Sequence, residues 1–346
     1  MNPHAKLITS LSLLLGTTIT ISSNHWMMAW TGLEINTLAI IPLISKSHHP
    51  RAIEAAIKYF LVQAAASVLV LFSSTVNAWH TGQWDLTQLT HPTSCLLLTT
   101  AIAMKLGLVP FHFWFPEVLQ GSSLTTALLL STMMKLPPIT ILFMTSHSLN
   151  PTLLTIMATA SAALGGWMGL NQTQVRKILA FSSISHLGWM AIIIIYSPKL
   201  TLLTFYLYSL MTTAVFLTLN TIKTTKLSTV MTSWTKTPML NATLMLTLLS
   251  LAGLPPLTGF LPKWLIIQEL TKQEMTTTAT IIAMLSLLSL FFYLRLAYYS
   301  TITLPPNSTN YMKQWHINKS TNTLVPLATS LSILLLPLSP LILTSI

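Results

Sequence analysis

The sequence predicts an all-α polytopic membrane protein of about 11 transmembrane helices. Three observations predict it. Only 17 Lys or Arg and 6 Asp or Glu occur in 346 residues, 7% of the chain, where soluble domains carry about 25%. Apolar residues make up 52% and the mean hydropathy is +0.67. Long continuous apolar runs recur between short polar or proline-bearing breaks, without the period-two alternation of a barrel strand. A soluble enzyme of this size cannot cover its surface with so few charges, and disorder is excluded by the apolar content. The net charge of +11 is spread singly along the chain and does not indicate nucleic-acid binding.

A helix needs roughly 20 mostly apolar residues to cross a bilayer. The first such run, 4–22, opens within Met1-Asn2-Pro3-His4-Ala5-Lys6 with no small-residue cleavage site and no Arg-rich transit peptide, so it reads as a retained span. The next, 26–44, carries Glu34 in mid-span. The third, 53–78, holds Lys58 one helical turn after Glu54, which suggests a local ion pair. The fourth, 94–118, is interrupted: Lys105-Leu-Gly107-Leu-Val-Pro110-Phe-His112-Phe-Trp114-Phe-Pro116. The fifth, 124–146, contains Lys135 before Pro137-Pro138. Runs at 152–170, 177–197 and 200–221 follow, the first with Gly165-Gly-Trp-Met-Gly169, spacing that reads as close helix packing. The ninth, 240–268, is interrupted like the fourth: Ala252-Gly253-Leu-Pro255-Pro256-Leu-Thr-Gly259-Phe-Leu-Pro262-Lys263-Trp264. Spans at 277–300 and 324–344 complete the chain; Arg295, near an end of its span, is expected to snorkel.

Loop charges set the orientation. With 11 alternating spans, the N-terminal side collects Lys6, Lys46, Arg51, Arg176, Lys177, Lys223, Lys226, Lys236, Lys313 and Lys319, and the opposite side only Lys199 and Lys272. The N-terminus is therefore placed on the cytoplasmic or matrix-like side and the C-terminus opposite. The chain reads as one membrane domain, 1–346, with approximate repeats 1–146 and 152–300 and a final helix 324–344. The interrupted spans, four and nine, are five spans apart, so the repeats have opposite topology, the pattern of an inverted-repeat transporter.

Charge inside a bilayer is costly and marks function by default. Glu34, Lys105, Lys135 and Lys263 lie well inside apolar spans, three of them beside proline. A helix broken in lipid survives only where protein or water satisfies the freed backbone groups, so a lysine at a break predicts a hydrated pocket. Burial penalises an ammonium and a nearby carboxylate favours it. A buried lysine whose carboxylate partner approaches or retreats can bind and release a proton near neutral pH. Glu34 is the acid placed to be that partner; His112 and His186 are candidate relay steps, and Ser182, Ser183 and Ser185 beside His186 either hold water or bond their own backbone. A single cysteine, Cys95, excludes a cysteine-held cluster, and there is no dinucleotide fingerprint and no set of facing histidine pairs for haem.

Ala103–Glu117, Arg176–Gly188 and Leu251–Lys263, in that order, resemble the antiporter-like membrane subunits of the proton-pumping NADH:ubiquinone oxidoreductase, respiratory complex I. The resemblance runs over about 25–300 and is closest to the short mitochondrial forms, which lack the extra N-terminal spans of bacterial relatives. It implies a subunit of an H+-translocating NADH:ubiquinone reductase in the mitochondrial inner membrane, N-terminus on the matrix side and C-terminus on the intermembrane-space side. It also implies a proton relay of Glu34, Lys105, Lys135, His112, His186 and Lys263. NADH, FMN, iron–sulfur clusters and ubiquinone would belong to other subunits, and the partners would be other membrane-arm subunits, neighbouring antiporter-like ones included, with membrane lipids. Two other readings of the residues stay open: a free-standing cation/proton antiporter, and a scaffold subunit that moves no proton.

Overall fold

A computed structural model describes residues 3–45, 49–234, 237–302 and 323–340. Lys46, Lys236, Lys313 and Lys319, most of the polar stretch before the last span, and residues 341–344 of that span lie outside the described residues. Among the described residues the chain is helical, with only isolated bridges and no strand.

The helices are α1 (Pro3–Ser22), α2 (Trp26–Ile44), α3 (Pro50–Thr81), α4 (Pro92–Leu106), α5 (Trp114–Gly121), α6 (Leu124–Ser131), α7 (Leu136–Met144), α8 (Pro151–Gly169), α9 (Val175–Ile193), α10 (Pro198–Ile222), α11 (Leu227–Ser233), α12 (Pro238–Ala252), α13 (Phe260–Lys272), α14 (Thr276–Ile302) and α15 (Leu324–Leu334). Proline sets many of the starts. Helices α3, α4, α8, α10 and α12 begin on Pro50, Pro92, Pro151, Pro198 and Pro238, where the missing N–H costs nothing and φ is already helical. Among the described residues seven segments are long and apolar enough to cross a membrane: α1, α2, α3, the α6–α7 pair, α8, α10 and α14; α4, α12 and α15 are apolar but shorter. Helix α9 is not among the seven, because Arg176, Lys177, three serines and His186 lower its hydropathy.

The expected spans map onto these helices in order, with four corrections. The final span, expected as one helix over 324–344, is α-helical only to Leu334 and gives way to a 3-10 turn over Leu336–Leu338, where Pro337 has no N–H for the ladder. The fifth span is not continuous: α6 ends at Ser131, a 3-10 turn runs over Met133–Lys135, and α7 begins at Leu136. Pro137 and Pro138 supply no N–H to the preceding turn, so the α-helical ladder cannot pass through Lys135. The short helix α11 went unrecognised in the sequence; it is too brief to show a period. Arg295 does not snorkel. Its guanidinium donates to the carbonyls of Leu170 and Gln172 in the turn that follows α8, since backbone carbonyls outside a helical ladder offer it partners nearer than water.

The chain forms two compact units, Met1–Ser161 and Ala162–Ile346, divided inside α8. In the first, α1 packs on α2, α2 and α4 on α3, α5 on α3, and α7 on α1, α2 and α4. Large apolar side chains of its outer faces are exposed, as on α1 (Leu7, Ile8, Leu15) and α3 (Leu61, Val68, Phe72), while Gln63, Ser67, Ser74 and Asn77 of α3 are buried. This inverted amphipathicity is what a lipid solvent demands. In the second unit α10 contacts α9, α12, α13 and α15, and α14 contacts α9, α11, α12 and α13. Gly165 and Gly169 behave as their spacing suggested: a Cβ on Gly165 would lie 2.8 Å from the Ser185 amide nitrogen, and one on Gly169 2.9 Å from the Phe292 ring.

Candidate functional site

Each unit contains a helix that stops at a left-handed glycine and restarts. In the first, α4 ends at Leu106, Gly107 adopts φ 76°, and α5 begins at Trp114. In the second, α12 ends at Ala252, Gly253 adopts φ 82°, and α13 begins at Phe260. Left-handed glycine is the ordinary terminator of a helix, but the carbonyls it leaves behind need donors where water is scarce. In the first unit the donors are the Gly107 and Leu108 amides to Ala103 O, the Trp114 indole to Met104 O (3.2 Å) and the Gln63 amide to Lys105 O (3.3 Å). In the second, the Lys263 ammonium itself reaches back from α13 and donates to Ala252 O (2.6 Å). Both break lysines thus belong to the same place, the C-terminal and electronegative end of the first half-helix.

Lys105 is 5% exposed and Lys135 3%. They line one cavity of ≈ 20 Å³ together with Asn36 and Thr37 of α2 and Tyr59 and Gln63 of α3. That is room for about one water molecule, and the polar lining suits one. The Lys135 ammonium lies 4.6 Å from the centre of the Phe115 ring, a cation–π contact. Glu34 is half-buried on α2 beside the cavity. Its carboxylate acts electrostatically on Lys105 and on Tyr59 without a direct ion pair to the lysine: neither Glu34 Oε2 nor Lys105 Nζ makes a hydrogen bond to a protein group. With its amide turned so that the nitrogen faces Leu13, Asn36 ties α2 to α1, donating to Leu13 O (2.9 Å) and accepting from Thr17 N (3.3 Å).

The structure therefore gathers Glu34, Lys105 and Lys135, which the sequence singled out. His112 is buried in the break, its ring tilted against that of Phe113 at 4.2 Å between ring centres, and is not part of the cavity lining. His186, in the second unit, is half-buried on α9 with its ring 5.4 Å from that of Tyr208. The serines around it bond their own helix, Ser182 to Leu179 O, Ser183 to Ala180 O and Ser185 to Ser182 O. The Lys263 ammonium stands 5.9 Å from the Trp189 ring. Lys58 pairs with Glu54 (2.5 Å), as its spacing suggested, and also with Glu117 (2.6 Å), all three on the exposed side of the bundle. Sequence reasoning missed Asn36, Tyr59 and Gln63. An available signal was that Tyr59, Gln63, Ser67, Ser74 and Asn77 repeat at helical spacing along one face of an otherwise apolar span.

A helical membrane bundle in which each unit interrupts a helix and sets a lysine at the interruption has the features of the discontinuous-helix class of transporter-like proteins. Residues 23–289 match the family described as NADH:quinone oxidoreductase/Mrp antiporter, TM, and residues 290–343 match that described as NADH dehydrogenase subunit 2 C-terminus. The chain belongs to the NADH:quinone oxidoreductase/Mrp antiporter membrane family. It is similar to NADH-ubiquinone oxidoreductase chain 2 of Struthio camelus, 81% identical over 346 residues and covering 100% of both chains. It is 77% identical to the chain 2 protein of Gallus gallus over 344 residues, 99% of each. Among solved structures, a chain of respiratory complex I from Thermus thermophilus with bound Aureothin superposes with a TM-score of 0.83 at 26% identity, covering 97% of this chain and 80% of that one. The Mrp complex from Dietzia sp. DQ12-45-1b shares the fold, with a TM-score of 0.79 at 18% identity over 91% of this chain and 64% of that one.

Proposed function

We propose that this chain is a membrane-arm subunit of the H+-translocating NADH:ubiquinone oxidoreductase of the mitochondrial inner membrane, and that it moves protons by titrating lysines at its helix breaks. Full-length identity to chain 2 of that enzyme in birds supports the assembly. The observation that carries the proton role is the shared cavity: two buried ammonium-bearing side chains and four side-chain amide or hydroxyl groups converge where a carboxylate acts on one lysine from beyond bonding distance. A small displacement of α2 or α4 changes that electrostatic coupling and with it the proton affinity of Lys105. In the proposed cycle Glu34 governs Lys105, Lys135 exchanges protons with it through the cavity, and His112, His186 and Lys263 extend the relay. Oxidation of NADH and reduction of ubiquinone take place on partner subunits, so this chain supplies the response and not the redox chemistry. Neighbouring antiporter-like subunits would cover its flanks. The positive bias of the Lys6 side supports an N-terminus in the matrix and a C-terminus in the intermembrane space.

The repeats read in the sequence, 1–146 and 152–300, are proposed to correspond to the two units, each with its own break lysine. The test is Lys135→Met in the assembled complex within sealed membranes. Methionine keeps the length and removes the titratable group, so NADH-driven proton uptake falls while the complex still assembles. Unchanged proton yield favours a scaffold subunit instead. Purification without flavin- and iron–sulfur-bearing partners favours a free-standing antiporter.

A further inference from the structure

The second break is held from its own first half and from α15. Between Gly253 and Gly259 the chain is unwound, and two contacts fix it. Gly259 lies so close to α12 that a Cβ there would sit 1.7 Å from Ser250 O. Thr258, 2% exposed, donates its hydroxyl to the carbonyl of Ser332 in α15 (2.5 Å), and Ser332 is fully buried. Ser332 lies in the last turn of α15, where carbonyls have no partner of their own helix, and Pro337 just beyond cannot continue the ladder. The unwound linker and the end of α15 thus satisfy one another in a layer where water does not. Leu335, next after α15, packs against the cluster of Leu203, Leu207, Leu261 and Leu265, so the same region of chain also grips the first two turns of α13. Lys263 lies between Leu261 and Leu265 on α13, and its ammonium reaches Ala252 O only while that helix starts where it does.

We propose that α15 is a strut for the second broken helix, and that Thr258 is a positioning residue for Lys263. The helix lies in the portion of the chain, 290–343, that matches the subunit 2 C-terminal family and falls outside the antiporter family match. The strut is accordingly a device of this subunit type, added to the shared antiporter-like bundle. The inference rests on Lys263 as a proton carrier, and the experiment separates the two.

Thr258→Val, Thr258→Ser and Lys263→Met are compared in the assembled complex in sealed membranes, with assembly, NADH oxidation and proton uptake measured for each. Valine keeps the β-branched shape and removes the donor; serine keeps the donor and removes the methyl group. The strut predicts that Thr258→Val assembles and takes up protons about fivefold more slowly, the effect of losing one net hydrogen bond in a positioned state, and that Thr258→Ser stays within about twofold of the parent protein. If Thr258→Val matches the parent protein, or if serine is as slow as valine, the strut is wrong. If Lys263→Met takes up protons normally, the carrier role fails instead. Should Thr258→Val prevent assembly, Leu335→Ala tests the strut through its packing on α13: slowed uptake at normal assembly supports the strut, and the parent rate overturns it.

Discussion

Gly107 and Gly253 end the first halves of the two broken helices in nearly the same backbone conformation, φ 76° and 82°. Their surroundings differ. A Cβ on Gly107 would meet Trp114 and Phe115 at 3.5–3.6 Å, ordinary van der Waals contact. A Cβ on Gly253 would meet the Cδ, Nζ and Cε atoms of Lys263 at 2.9–3.0 Å. Alanine at either position incurs the left-handed strain of about 1–2 kcal/mol. At Gly253 it also pushes the lysine off Ala252 O, breaking a charge-assisted hydrogen bond of about 1.5–3 kcal/mol. Gly107→Ala should therefore cost about 1–2 kcal/mol and leave proton uptake near normal, whereas Gly253→Ala should cost roughly 3–5 kcal/mol and abolish most uptake. The assay is thermal unfolding of the assembled complex beside NADH-driven proton uptake in sealed membranes. Equal losses for the two variants in both measurements would refute the reasoning, because backbone strain would then account for everything and the placement of Lys263 for nothing.

Gln63→Leu removes the donor to Lys105 O and one polar wall of the cavity; a stability loss of about 1–3 kcal/mol and slowed proton uptake are expected, with partial recovery in Gln63→Asn, read by the same two measurements. Arg295→Leu leaves the Leu170 and Gln172 carbonyls without their guanidinium donor and should destabilise the complex by about 3 kcal/mol or more, seen as reduced assembly on native gels. Lys58→Met breaks an exposed cluster with Glu54 and Glu117; proton uptake per NADH oxidised should be unchanged, since exposed ion pairs contribute little.

Most of the fold was legible because lipid imposes a single rule, continuous apolar length, and the chain writes that rule openly from Pro3 to the start of the last span. Both major breaks were legible for the same reason, as Gly and Pro stand out against such a background. The interruption at Thr132–Lys135 was harder, because its cause, Pro137-Pro138, lies downstream and proline is also a common helix starter. Of the site, Glu34, Lys105 and Lys135 were visible as charges in apolar runs. Gln63, Tyr59 and Asn36 were not, since neutral polar residues in membrane helices usually serve packing, and only the fold shows which of them face the lysines. The partners of Arg295 were hidden too: Leu170 and Gln172 lie more than 120 residues away and offer only backbone oxygen, which sequence does not advertise.

The central claim is that buried lysines at helix breaks carry the translocated proton. Its most direct test is the number of protons moved per NADH oxidised by the complex carrying Lys105→Met in sealed membranes, with assembly verified. The account predicts a reduced proton yield from a fully assembled complex. A full yield from that complex would contradict it.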